Sequence, residues 1–239
     1  MKPRGSRFPD TRWTLIQRLR SDDSTTARRA LDEICVQYYY PLYCYIRRRG
    51  LERPDAEDVL HSFLGRLLLA ESLHGAQMAK GPLRGMLTTA LDHFLSNWHR
   101  DGAARERLVQ IDGQTAEERY ASECATDADT PERVLERKWG QELMARVLSR
   151  LQAAYVGKGR GAVFEVLEPV LKAGGSLRGE EPARLAATLG MSEGTLRVAL
   201  SRLLKDFRAT LEAEVFETVS SWEEVPGEIN HLMSVFSPR

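Results

Sequence analysis

Apolar residues recur at intervals of three and four along almost the whole chain, and no segment alternates with period two long enough to make a strand. The pattern predicts an all-α protein. The first long stripe is Leu31, Ile34, Cys35, Tyr38, Leu42, Tyr45 and Ile46. Pro41 lies inside it and should kink the helix, because proline removes a backbone donor and clashes with the preceding turn. Gly50 should end the helix after Arg47-Arg48-Arg49. A second helix should start near Pro54-Asp55, with Ala56, Val59, Leu60, Phe63, Leu64, Leu67 and Leu68 as its apolar face. Asp55, Glu57 and Asp58 crowd its first turn, where negative charge suits the helix dipole. A third stripe runs from Leu83 to Trp98 behind Pro82. Together these predict a three-helix bundle, with a short helix at Trp13–Leu19 laid across it.

Between about residues 101 and 131 the periodicity fails, and a flexible linker with one helical turn around Ala116–Tyr120 is expected. Helix resumes at Thr130-Pro131-Glu132 along Leu135, Trp139, Leu143, Val147, Leu148 and Leu151. A shorter helix should cover Ala162–Lys172, before the break at Gly174-Gly175. The expected division is 1–100, a linker at 101–131, 132–213, and a helical extension at 214–239. The extension carries enough apolar residues, Val215, Phe216, Trp222, Leu232 and Phe236 among them, to pack against something.

Residues 182–201, PARLAATLGMSEGTLRVALS, meet the spacing of a helix-turn-helix. Ala186 is the small residue where two helices cross, and Gly190 is the turn glycine four residues on. Leu185, Leu189, Met191, Leu196 and Ala199 occupy the apolar offsets, and Ser192 is placed to cap the second helix. The N-terminal part of such a helix enters the major groove, and later basic residues meet phosphates. The DNA-contact candidates are therefore Ser192, Glu193, Thr195, Arg197, Ser201, Arg202 and Lys205, with Arg208 further along the same face and Val198 placed for a thymine methyl or for packing.

Charge at first argues against nucleic acid, since 34 basic and 34 acidic side chains leave a net charge of zero. The average hides a pattern. Residues 1–111 carry 18 basic and 13 acidic side chains, and 112–136 carry 2 and 8. Residues 137–211 carry 13 and 7, and 212–239 carry 1 and 6. Two basic blocks are thus joined by an acidic segment and followed by an acidic tail. No apolar run approaches the ~20 residues of a membrane helix. The N-terminus lacks the apolar stretch of a signal peptide, so no membrane association and a cytoplasmic location are expected. Cys35, Cys44 and Cys124 form no CxxC pair, which argues against a disulfide framework or a cysteine zinc site. The histidines are scattered, and no phosphate loop, nucleophile elbow or carboxylate dyad occurs. Neither enzymatic activity nor a metal or other cofactor is expected.

Most of the chain resembles the extracytoplasmic-function sigma factors, the compact initiation factors of bacterial RNA polymerase, in a longer-tailed subgroup. Ala30–Gly50 is similar to the first part of sigma domain two. DAEDVLHSFLGRLL (55–68) resembles the segment that grips the β′ coiled coil, and LRGMLTTALDHFLSNW (83–98) the segment that melts and reads the −10 element. Residues 181–211 resemble domain four, which reads the −35 element. FPDTRW (8–13), PERVLERKW (131–139) and the tail EVFETVSSWEEVPGEINHL (214–232) are similar to the subgroup. His61-Ser62 stands where Gln-Glu is common, and Asp92-His93 and Asn97 also depart from the family pattern, so promoter preference does not carry over.

The resemblance implies two small helical domains, sigma domain two as a three-to-four-helix bundle and sigma domain four with its helix-turn-helix. It implies core RNA polymerase as partner, through the β′ coiled coil and the β flap, with promoter DNA and, as a candidate, an anti-sigma factor or other regulator. Asp55, Glu57, Asp58 and His61 are then the expected outward polymerase contacts. Lys80, Arg84, His93, Asn97 and Arg100 are the expected −10 contacts. Tyr38 and Trp98 are expected in the core, with Tyr39 partly exposed. The acidic segment would follow the polymerase channel as a nucleic-acid mimic, and the tail would either complete a core or cover a basic face. Two other functions stay open: a stand-alone helix-turn-helix regulator, and an adaptor that docks on polymerase without reading promoters.

Overall fold

A computed structural model describes residues 18, 21, 23–68, 82–101, 114–124, 129–219 and 221–236, with backbone alone for 68, 99–101 and 114. Every regular element among them is helical, so the described residues form an all-α structure. The helices are α1 (Ser24–Arg48), α2 (Arg53–Leu68), α3 (Leu83–Asp101), α4 (Gln114–Glu123), α5 (Pro131–Gly157), α6 (Gly161–Lys172), α7 (Pro182–Thr188), α8 (Glu193–Phe216) and α9 (Val225–Phe236), with a 3₁₀ turn at Trp222–Glu224 before α9. None is long and apolar enough to cross a membrane. The expected helix at Trp13–Leu19 lies outside the described residues.

The chain forms two compact units. One runs to Glu142 and resumes at Val215; the other is Leu143–Glu214. The division therefore falls inside α5, and the tail belongs with the first unit.

In the first unit, Asp23 caps α1 by accepting from the Thr25 and Thr26 amides at 3.2 and 3.1 Å. This holds the Asp23 carboxyl below its ordinary range, chiefly through the Thr26 hydroxyl and then these amides. The helix runs on through Pro41 to Arg48. Pro41 is buried among Tyr38, Tyr39, Tyr40, Leu42 and Tyr43, so packing outweighs the lost backbone bond. Gly50, at φ +93°, turns the chain into α2. The α2 stripe of Ala56, Val59, Leu60, Phe63, Leu64 and Leu67 is buried, as are Leu83, Leu87, Leu91, Phe94 and Leu95 of α3. The Phe63 and Phe94 rings lie 5.8 Å apart, with Trp98 beyond at 5.8 Å from Phe94. Trp98 is half-buried, and Tyr39 is buried rather than partly exposed.

The acidic segment differs from the linker expected there. Ala116 and Tyr120 of α4, and Cys124 just past its end, are spaced four residues apart and buried. Arg47 holds Glu117 with two N–H donors at 3.1 Å each, and the Tyr43 hydroxyl donates to the same carboxylate. Glu123 accepts from Tyr40 Oη at 3.0 Å and Lys138 Nζ at 2.8 Å. Arg119 lies 3.8 Å from the Tyr40 ring centre and reaches Glu142 at 2.7 Å. Glu117 and Glu123 of α4 are thus paired within this unit.

The tail completes the first unit. Phe216 and Trp222 stack at 4.2 Å, and the Leu83 amide donates to the Thr218 carbonyl at 3.1 Å. Helix α9 passes so close to α5 that a β-carbon on Gly140 would sit 2.7 Å from Leu232 Cδ1 and 2.9 Å from the Phe236 ring. His231 Nε2 is 3.0 Å from Glu136 Oε1.

The second unit encloses Leu151, Tyr155, Phe164, Leu167, Leu196 and Leu203, contributed by α5, α6 and α8. Gly174 and Gly175, at φ +99° and +73°, break the chain after α6. Gly175 is also a close approach, since a β-carbon there would lie 2.5 Å from Leu204. Glu214, with no exposed surface, pairs with Arg146 at 3.5 Å and with Arg150, fastening α8 to α5.

Candidate nucleic-acid interface

Two helices and a tight turn build the candidate interface in the second unit. Pro182 starts α7 at a position where its missing N–H is no loss. Ala186 is buried at 3% exposure, leaving room for α8 to cross. Gly190 takes φ +62°, the left-handed value the turn requires, and the Met191 amide returns to the Ala186 carbonyl at 3.0 Å. Ser192 then caps α8, its Oγ accepting from the Thr195 amide at 3.2 Å. Leu196, Leu200 and Leu203 are buried beneath, and Leu185, Leu189, Met191 and Ala199 pack half-buried around them.

The opposite face of α8 is open. Ser192, Glu193, Thr195, Arg197, Ser201, Arg202, Lys205 and Arg208 are all exposed. The Arg197 and Glu193 side chains pair loosely at 3.8 Å while each stays more than half exposed. Val198, half exposed, stands in this polar surface and takes no part in the core. The surface presents guanidinium and ammonium donors, a carboxylate acceptor, hydroxyls and one apolar spot. These are the groups that contact phosphates, guanine edges, the cytosine amino group and the thymine methyl. Arg184, exposed on α7, adds a basic residue on the first helix of the motif. The first helix of such motifs lies near the DNA backbone, so the motif alone pointed to this position, which the expected contacts omit.

The sites expected in the first unit fare differently. Asp55 is half-buried at the start of α2, and Glu57 pairs with Arg53 at 2.9 Å. Asp58 and His61 were expected to face outward, but are buried at 7% and 6% exposure. His61 Nε2 lies 3.1 Å from the Tyr39 hydroxyl. The local reason is that α2 is covered on more than its apolar stripe, so the polar positions beside the stripe are enclosed too. Arg84, expected on the outward side of α3, is 7% exposed and ion-paired with Glu228 of α9. Its guanidinium lies 4.6 Å from the centre of the buried Trp139 ring. Of the remaining −10 candidates, His93 is exposed and Asn97 half-buried. Lys80 lies outside the described residues, and the Arg100 side chain is not described. Asp92 accepts from Tyr45 Oη at 2.8 Å and Arg49 at 2.7 Å, bracing α3 to α1.

Among the described residues no group of histidine, cysteine or carboxylate side chains is placed to hold a metal. Comparison with protein-family models, curated proteins and solved structures found no match.

Proposed function

We propose that the protein is a sigma factor that binds core RNA polymerase and directs promoter-specific initiation. The observation that carries this reading is the exposed polar face of α8, seated on the buried Ala186 crossing and the Gly190 turn. A helix whose role was only to pack would have no need of Arg197, Arg202, Lys205 and Arg208 on one uncovered side. The basic excess of the first block and the resemblance of α2 and α3 to polymerase-gripping and promoter-melting segments supply the rest. In this reading α8 contacts the −35 element, Asp55 and Glu57 remain the polymerase contacts, and His93 and Asn97 remain −10 contacts. Each DNA reader is weak alone, and joining the two raises affinity through effective concentration.

A polymerase-docking adaptor that does not melt promoters is the second reading. Burial of Arg84 beneath α9 favours it, since that side chain is then withheld from DNA. Transcription in vitro with core polymerase on genomic fragments separates the two. New discrete starts support the sigma factor, polymerase binding without starts supports the adaptor, and DNA binding without polymerase binding would overturn both.

A further inference from the structure

Cys44 of α1 and Cys124, at the end of α4, place their Sγ atoms 3.8 Å apart although 80 positions separate them in sequence. Both are buried and both are free thiols. A disulfide needs about 2.0 Å between sulfurs, so a shift of roughly 2 Å by the end of a ten-residue helix closes the gap. The surroundings are polar. Tyr40 Oη lies 4.0 Å from the Cys124 sulfur, and Lys138 Nζ donates to the adjacent Glu123 at 2.8 Å.

The two thiols are unequal. The hydrogen bond between the two sulfurs holds the Cys124 pKa below the ordinary thiol value. Burial opposes this, and Lys138 and Tyr40 reinforce it. Burial pushes Cys44 upward. Cys35 is different: nine residues before Cys44 on the same helix, it lies about half a turn round and roughly 13 Å along the axis. It is half-buried, and burial pushes its pKa up to about 12.

We propose that Cys44 and Cys124 are a redox modification site, a dithiol that peroxide converts to a disulfide tying the end of α4 to α1. The Cys124 thiolate attacks one oxygen of hydrogen peroxide, the O–O bond breaks, and Cys124 becomes a sulfenic acid with release of hydroxide. The Cys44 sulfur then attacks the Cys124 sulfur. The S–O bond breaks, water leaves with the Cys44 proton, and the disulfide forms. Two thiol sulfurs have lost two electrons to one peroxide. A small-molecule dithiol reverses the reaction by exchange. Peroxide enters when the last turn of α4 opens, as helix ends do locally. The oxidised form holds the acidic segment on the first unit, a consequence that does not depend on the function proposed above.

The test uses the full-length native protein. After brief treatment with dilute hydrogen peroxide, quenching and denaturation, the thiol count should fall from three to one. Peptide mass spectrometry should find the intramolecular Cys44–Cys124 cross-link, and dithiothreitol should restore all three thiols. The C35S protein should form the same cross-link, and C44S should stop at a dimedone-reactive Cys124. Wild-type protein that keeps three thiols, oxidises first at Cys35, or forms the cross-link only after unfolding or between chains would overturn the proposal.

Discussion

Arg84 of α3 and Glu228 of α9, 144 positions apart in sequence, form a buried ion pair in which each side chain is 8% exposed. It is a buried polar tie between the tail helix and the α3 segment. Trp139 lies under the guanidinium at 4.6 Å, and Glu136 approaches it at 4.0 Å while also meeting His231. The pair explains why the acidic tail belongs with the first unit, and why a basic residue on α3 is unavailable to any ligand while α9 is in place.

Removing one partner should be costly. E228A leaves a buried guanidinium with less compensation, so the first unit should lose about 3–5 kcal/mol in urea titrations. The double variant R84M/E228M, which removes both charges and keeps apolar bulk, should recover most of that loss. A single-variant loss under roughly 1 kcal/mol, as for an exposed pair, would contradict the buried assignment.

Close packing at Gly140 makes a graded prediction. G140A gains helix propensity, up to about 1 kcal/mol, and displaces only the ends of Leu232 and Phe236, so stability should be near wild type. G140L exceeds what those side chains can yield and should dislodge α9, making the tail a site of rapid limited proteolysis. Equal protease resistance in G140L and wild type would place the helix elsewhere.

The helix-turn-helix was largely legible in the sequence, because its geometry depends on local residues. Ala186, Gly190 and Ser192 each do in the structure what their spacing implied, at the crossing, the positive-φ turn and the cap. The stripes of α1, α2 and α3 were legible for the same reason. What was not legible depends on distant partners. Arg84 sits on a polar arc of α3, and the distant helices α5 and α9 enclose it. Helix α4 read as linker because its polar residues dominate, yet Ala116, Tyr120 and Cys124 keep a helical spacing that Tyr40, Tyr43 and Arg47 cover and pair.

In the second unit, S192A should destabilise the fold by about 1 kcal/mol through loss of the cap. R202A and K205A should leave stability within about 0.5 kcal/mol, as exposed positions do. Each should weaken DNA binding and reduce the slope of log affinity against log salt by about 0.9 if it meets a phosphate. An unchanged slope in both variants would remove them from the interface.

Glu123 sets an acid sensitivity for α4. Burial raises its pKa, but the hydrogen bonds from Lys138 and Tyr40 and the charges of Lys138 and Arg119 outweigh burial, so the pKa is lowered. A carboxylate whose folded pKa lies below its unfolded value stabilises the fold fully above the unfolded value, about 4.3. That contribution fades as pH falls through the folded value. Amide exchange of α4 should therefore accelerate below about pH 4 in wild type. In E123Q that acid limb should be flatter, and an identical limb in both proteins would exclude Glu123 as its source.

Run-off transcription by core polymerase, with the full-length protein and with a variant carrying both R202A and K205A, tests the central claim most directly. Wild type should produce discrete new transcripts from a subset of genomic fragments. The double variant should lose most of that output while still binding core polymerase. No new transcripts from any fragment with wild type, or undiminished transcripts with the double variant, would contradict it.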